Sequence, residues 1–260
     1  MNFRKSFKIL AAIVFCVLAL GIFIWFDGQY AVPVLMYHNI GTDARGRNNT
    51  VSLESFQKQL DYLKRNNYRV VTLDEICGAM VSQRRLPRKT VAITFDDGND
   101  NNFVNAFPAL VERGMTATFF VPAGQIAHPG TMTWEQLALM RDQGMRIGSH
   151  GMSHAYLPEV SLQQQRFEIN ESKKVLAERL KVRVDYYAYP VGGLTQTVKE
   201  LVRDAGYQAA FTTNRGVSKL RDDVYEIRRI KMSSADVNPV VIWGKLNGYY
   251  NFYRTIKNPY

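Results

Sequence analysis

The chain has 260 residues, 46% hydrophobic and 12% aromatic, enough apolar surface for one large core and too much for an intrinsically disordered protein. Its formal charge is +10, yet no basic block with interleaved aromatics marks a nucleic-acid surface. Two cysteines exclude a disulfide framework, because Cys16 lies in an apolar run and Cys77 stands alone in the rest of the chain.

The chain opens with the basic stub MNFRKSFK, and the next eighteen residues, Ile9 to Phe26, carry no charge. As a helix they reach roughly 27 Å, close to the hydrocarbon thickness of a bilayer. The run exceeds a usual signal-peptide core, and large residues succeed it where a cleavage site needs small ones. We therefore read residues 1–30 as a cytoplasmic stub and a signal-anchor transmembrane helix. Everything beyond Asp27 then lies outside the cell membrane, anchored, or secreted if the segment is cut. Without those residues thirty bases face twenty-two acids, leaving a net charge near +8. Such a surface suits an anionic envelope or polymer, and plain solubility equally.

From Ala31 onward, short β-forming runs alternate with amphipathic stretches, as in βα units. Strands are predicted at Val32 to Tyr37, Tyr68 to Thr72, Thr90 to Phe95, Thr116 to Val121, Arg146 to Ser149, Asp185 to Tyr189, Ala209 to Thr212 and Tyr225 to Lys231. Helices are predicted at Leu53 to Asn66, Leu73 to Ser82, Asn102 to Arg113, Trp134 to Gln143, Leu162 to Leu180 and Thr195 to Ala205. Gly114, Gly144 and Gly206 end three of them, and Ser52, Thr72 and Ser161 are N-cap signals. This is an α/β pattern, a rolled parallel sheet of seven or eight strands, in which function gathers at the strands' C-terminal ends. The catalytic domain is expected over 31–235. Residues 236–260, with a helix near Pro239 to Leu246 and an aromatic, basic end, form an extension packed on the barrel.

The stretch TFDDG ends one predicted strand with two adjacent acids. Neighbours on a strand point to opposite faces, so the glycine must turn the chain for Asp96 and Asp97 to share one mouth. Two carboxylates there repel unless a cation or a shared proton intervenes. The sequence IGSHGMSHAYL supplies His150 and His154 just past another predicted strand. Two imidazoles and one carboxylate, from Asp97, make a facial set that leaves a metal ion an open position, and the donors suit zinc, cobalt and nickel alike. Either motif alone is more often a turn or a solvated surface feature. Together, at two strand ends, they point to one site.

TFDDG with HGMSH some fifty residues downstream resembles the first two motifs of the polysaccharide deacetylases, the carbohydrate esterase family 4 or NodB-homology enzymes. The resemblance implies a distorted (β/α) TIM-like barrel and a divalent metal, usually zinc, that serves removal of acetyl groups from N-acetylglucosamine polymers. It makes Asp96 the general base and Asp97, His150 and His154 the metal ligands. The family's Arg-x-Pro-Tyr motif corresponds to YYAYPVGG, with Ala188 at the arginine position, Pro190 kept and Val191 in place of tyrosine. The oxyanion donor, the backbone N–H of Val191, survives that change. The arginine does not, and no Asp-x-x-Asp-Trp motif is recognisable.

All four histidines precede residue 155, so the usual C-terminal histidine is missing. The opening VPVLMYHNIG instead resembles the circularly permuted deacetylases of poly-N-acetylglucosamine, which makes His38 the catalytic acid, with a pKa expected near or above neutrality. In that branch a strand like YEIRRIKM closes the barrel, and Arg229 is the candidate for the missing guanidinium. Trp134, Tyr189 and Pro190 are candidate sugar contacts, with core packing the alternative for the two aromatics. The expected partners are an N-acetylglucosamine polysaccharide and, through the anchor, the bilayer. Rival readings are a deacetylase of peptidoglycan or chitin oligomers, and a glycan-binding or assembly protein that keeps the barrel without turnover.

Overall fold

The computed structural model describes residues 8, 11–21, 33–42 and 49–247. Of the expected span, residues 11–21 form helix α1, and its apolar side chains are exposed, Phe15 to 72%. The rest of Ile9 to Phe26 lies outside the described residues, and among those described no helix is long and apolar enough to cross a membrane.

The chain then forms β1 (Val34–Tyr37), β2 (Asn39–Ile40), β3 (Thr50–Val51), α2 (Leu53–Arg65), β4 (Arg69–Val70), α3 (Leu73–Ser82), β5 (Thr90–Phe95) and α4 (Phe107–Glu112). It continues with β6 (Thr118–Val121), α5 (Trp134–Asp142), β7 (Arg146–Ser149), α6 (Leu162–Leu180), β8 (Tyr186–Ala188), α7 (Gln196–Asp204), β9 (Ala209–Arg215), β10 (Ile227–Lys231) and α8 (Pro239–Leu246). Seven strands, β1 and β5 to β10, pair in parallel and close into a ring because β1 bonds both β10 and β5. The eighth strand stays outside it. β4 pairs only with Thr90 and Val91, before β1 takes over that edge at Ala92.

Strand parity divides the core into two clusters. Outward residues such as Leu35, Ile93, Phe119, Ile147 and Ala210 meet the surrounding helices. Inward residues Val34, Ala92, Phe120, Tyr186, Ala209, Phe211 and Ile227 cluster instead with Leu73, Ile76, Cys77 and Met80 of α3. These strand positions lie toward the N-terminal ends, so α3 plugs that end of the barrel. Phe120 fills the middle so closely that a Cβ on Gly148 would lie 2.5 Å from its ring. Above Phe120 the interior turns polar.

One local departure has a physical cause. The predicted helix from Asn102 begins as a π-helix over Asn102–Ala106, with the Phe107 N–H reaching Asn102 O, because Pro108 has no N–H to continue an α-helical ladder. In the C-terminal extension, Ile242 and Leu246 of α8 join the outer core, while 248–260 lie outside the described residues.

Candidate active site

The polar mouth is built from the inward positions at the C-terminal ends of the strands. Thr94 and Asp96 continue the inward parity of β5. Asp97 would then face outward, but its φ of 71° and that of 66° at Gly98 reverse the chain at once. Both carboxylates therefore enter one cleft of about 290 Å³, lined by Asp96, Asp97, His38, His150, His154 and Val191, with Met36, Asn49, Thr213 and Lys231.

Asp97, His150 and His154 converge as expected, with one donor atom from each lying within 4.8 Å of the others. Asp97 Oδ1 is 3.6 Å from His150 Nε2 and 3.4 Å from His154 Nε2, near the edge of about 3.3 Å set by bonds of about 2.0 Å in a tetrahedron. The Nδ1 of His150 lies 2.7 Å from Ala188 O; as an N–H donor there it leaves Nε2 to face the cleft as the lone-pair nitrogen. A two-imidazole, one-carboxylate set suits a borderline divalent cation. Burial raises the Asp97 pKa, but the His150 and His154 side chains beside it outweigh it and hold the carboxyl far below its ordinary value. Bonding to Asp97 raises His154 in return.

A buried carboxylate holds the loop between the two histidines. Glu168 of α6 accepts from Met152 N at 2.7 Å, Ser153 N at 2.9 Å, Ser153 Oγ at 2.6 Å and Gln164 Nε2 at 3.1 Å. Gly151, with φ of 78°, passes so near that a Cβ would lie 3.0 Å from Glu168 Oε2. This clamp brings His154, itself at φ 65°, back over the cleft. Sequence reading missed Glu168: its register sets it beside Gln165, Ile169, Ser172 and Leu176 on the inner face of α6, but a carboxylate there reads as solvent-facing.

Asp96 is not a ligand in this set. Arg229 grips it with two bonds of 2.7 Å, and also donates to Thr94 Oγ1 at 3.1 Å and Thr212 O at 3.3 Å. Both partners are almost wholly buried, with the guanidinium 5.4 Å from the Phe120 ring centre. The guanidinium absent at Ala188 of β8 thus enters from β10, two strands along the ring. Burial raises the Asp96 pKa, while Arg229 and then His150 more than offset it, so the carboxyl is ionised at neutral pH. Each of its oxygens keeps a further lone pair for a proton donor.

Val191 sits at φ 56°, ψ 10°, a strained conformation for a β-branched residue. Gly192 N returns to Tyr189 O at 2.8 Å and Gly193 N to Pro190 O at 3.0 Å, whereas the Val191 N–H meets no carbonyl among the described residues. A bulge in β9, where the register shifts between Ile227 and Arg229, supports this turn. There Thr213 Oγ1 donates to Val191 O and Thr212 Oγ1 to Gly192 O.

Four expectations need correction. Burial lowers the His38 pKa; Asp96 and Asp97 oppose this, while Arg229 and His150 add to it, so the imidazole rests neutral instead of charged. None of the three candidate sugar contacts lines the cleft. Tyr189 is fully buried on the outer face of the barrel wall, with its hydroxyl donating to Tyr225 O at 2.9 Å. Pro190 is buried beneath Gly151, and Trp134 packs on the outer core under the Arg179 guanidinium, 4.7 Å from its ring centre. Met36 and Lys231 were legible by parity, two positions from His38 and Arg229, but Asn49 was not.

A sequence model described as polysaccharide deacetylase matches residues 83–210. YxkH of Bacillus subtilis (strain 168), a polysaccharide deacetylase by name, is 31% identical over 202 residues, 78% of this chain and 71% of the relative. The poly-β-1,6-N-acetyl-D-glucosamine N-deacetylase of Staphylococcus aureus (strain MRSA252) is 24% identical over 201 residues, 72% of this chain and 69% of that protein. Among solved structures, the Streptococcus pyogenes deacetylase PplD superposes with a TM-score of 0.79 at 25% identity, covering 84% of this chain and 99% of PplD. IcaB from Ammonifex degensii gives 0.71 at 28%, covering 83% and 97%. With the closed seven-stranded barrel and the polar mouth at its C-terminal end, these likenesses establish that the chain belongs to the polysaccharide deacetylase family of enzymes.

Proposed function

We propose that the protein hydrolyses the acetamide of N-acetylglucosamine units in a polysaccharide, a poly-N-acetylglucosamine-like exopolymer or a cell-wall glycan, at the outer face of a membrane that its N-terminal segment anchors. The single observation that carries the reading is Asp96, paired with Arg229 and outside the donor set, in the same cleft as Asp97, His150 and His154. Binding alone has no use for a free base beside a metal site.

A divalent cation held by those three residues, zinc by preference with cobalt or nickel as substitutes, supplies the positive charge that acidifies a water and polarises the amide carbonyl. Asp96 accepts the proton of the attacking water, and Arg229 fixes both its oxygens so that only the remaining lone pairs are on offer. The Val191 N–H donates to the developing oxyanion, a contribution of about 3 kcal/mol for one such donor. Val191 lines the cleft at this strained φ while its side chain, 64% exposed, stays at the lip. His38, neutral at rest, receives from Asp96 the proton taken from the water and passes it to the departing amine.

The membrane reading draws on the uncharged run Ile9 to Phe26 and on the exposed apolar side chains of α1. The test is acetate release from β-1,6-linked N-acetylglucosamine oligomers, chitin oligomers and peptidoglycan by full-length protein, before and after chelation. The reading expects activity on at least one polymer, loss with chelator and recovery with zinc. Glycan binding without acetate release at any metal loading would replace it with an assembly role.

A further inference from the structure

We infer that the N-terminal end of the barrel is an electrostatic seat for anionic phospholipid headgroups, which holds the catalytic cleft facing away from the bilayer. The inference rests on the anchored reading of the N-terminal segment and adds an orientation to it.

The observations are topological and electrostatic. The loop from α3 to β5, SQRRLPRKT, carries Arg84, Arg85, Arg88 and Lys89, all exposed, and no acid occurs from Ile76 to Phe95. Lys89 Nζ donates to Asn66 O at 3.0 Å, which draws the exposed Lys64 and Arg65 at the end of α2 onto the same rim. Six bases therefore crowd one end of the molecule. Of the acids near this rim, Asp61 pairs with Arg113 at 2.8 Å and with Arg65 at 3.9 Å, Glu75 with Arg69 at 2.9 Å and Asp223 with Lys199 at 3.0 Å, while Asp222 Oδ2 accepts from Lys219 N at 2.9 Å. The acids and histidines of the cleft lie at the opposite end of the same strands.

The chain also enters the barrel at this rim. Pro33 O accepts from Ala92 N at 3.1 Å, beside the start of β5. Only six residues, 27 to 32, separate Pro33 from the apolar run, a tether of at most about 20 Å. A barrel so short-leashed presents its entry end to the membrane, and that end bears the bases. Anionic headgroups are the complementary partner, and their attraction falls off within a Debye length, about 8 Å at physiological salt. Of the polymers and surfaces that carry negative charge, the bilayer is the one the tether keeps within about 20 Å, from where thermal motion brings the bases into that range.

The experiment uses the full chain in vesicles of phosphatidylcholine alone or mixed with phosphatidylglycerol. In a Cys16→Ala background, Val81→Cys, an exposed position on the α3 plug, carries a fluorophore, and a nitroxide lipid at headgroup depth acts as quencher. Quenching should be several-fold stronger in the anionic vesicles, and should fall to the neutral-vesicle level in high salt or with Arg84→Glu, Arg88→Glu and Lys89→Glu combined. Acetate release from a short soluble oligomer should stay the same in that triple variant, since none of the three lines the cleft. Equal quenching in both lipids, or no response to the charge reversals, overturns the seat while leaving the anchor intact. A chain that floats with neither vesicle removes the anchored reading, and the seat with it.

Discussion

The two ends of the barrel are made from the same seven strands and obey opposite rules. At the N-terminal end, inward side chains are apolar, α3 fills the opening, and even Cys77 is kept inert, its thiol pKa pushed up first by burial and then by Asp74. At the C-terminal end, the inward positions carry Asp96, His38, His150, Arg229 and Lys231, and Asp97, Val191 and His154 adopt left-handed backbone. A larger groove of about 900 Å³ does lie near the plugged end, but the ion pairs Arg146 with Asp74 and Arg183 with Asp185 occupy its wall. Size does not mark the site. Strain and buried charge concentrate where chemistry needs them, and the plug supplies the stability that tolerates them.

The sharpest break is Asp96→Asn. Removing a general base typically lowers turnover by about 10² to 10⁴-fold, so acetate release should drop at least a hundredfold while zinc content, measured by elemental analysis, stays at the wild-type level. Unchanged turnover would remove Asp96 from the base role.

Next is Arg229→Met, which leaves Asp96 buried without its partner and should cost about 3–5 kcal/mol at neutral pH. The pH dependence gives the sign. In the wild type Asp96 is held below its ordinary value, so the pair stabilises the fold above about pH 4 and that share is lost as pH falls through the depressed value. In the variant, burial should raise the Asp96 pKa, so stability should fall as pH rises from about 4 toward neutrality. Urea midpoints across that range, with parallel slopes for both proteins, would refute the pairing.

At the other end, Met80→Ala in the plug should lower stability by about 2–5 kcal/mol, as for other large-to-small core changes. The kcat of the folded fraction should stay within twofold, because Met80 belongs to the apolar cluster and not to the cleft lining. A large loss of kcat at full folding would mean that the two ends are not separable.

The smallest effect is expected from Glu168→Ala. Loss of an outer-shell partner of a metal site typically weakens affinity by about 10 to 100-fold, to be read by chelator competition. The amides of Met152 and Ser153 should exchange faster with solvent even without metal. Glu168→Gln, which keeps an acceptor for both amides, should restore most of the affinity; an unaltered affinity in the alanine variant would show that the loop holds its own shape.

The alternation of apolar runs with amphipathic stretches determined the βα order by itself, because periodicity is a local property of the chain. The meeting of Asp96, Asp97, His150 and His154 at one mouth was legible as well, because TFDDG and HGMSH each close a predicted strand and gain weight together. Tertiary structure decided whatever depends on residues far apart in sequence. Arg229 reaches Asp96 across 133 positions and Glu168 clamps a loop on another element. Tyr189 and Trp134 turned from candidate sugar contacts into core. Ring closure settled the strand count at seven, because one edge of β5 cannot bond β1 and β4 at the same residues. Burial, finally, is a property of the assembled fold, which is why the resting charge of His38 came out opposite to what a neighbouring carboxylate alone suggests.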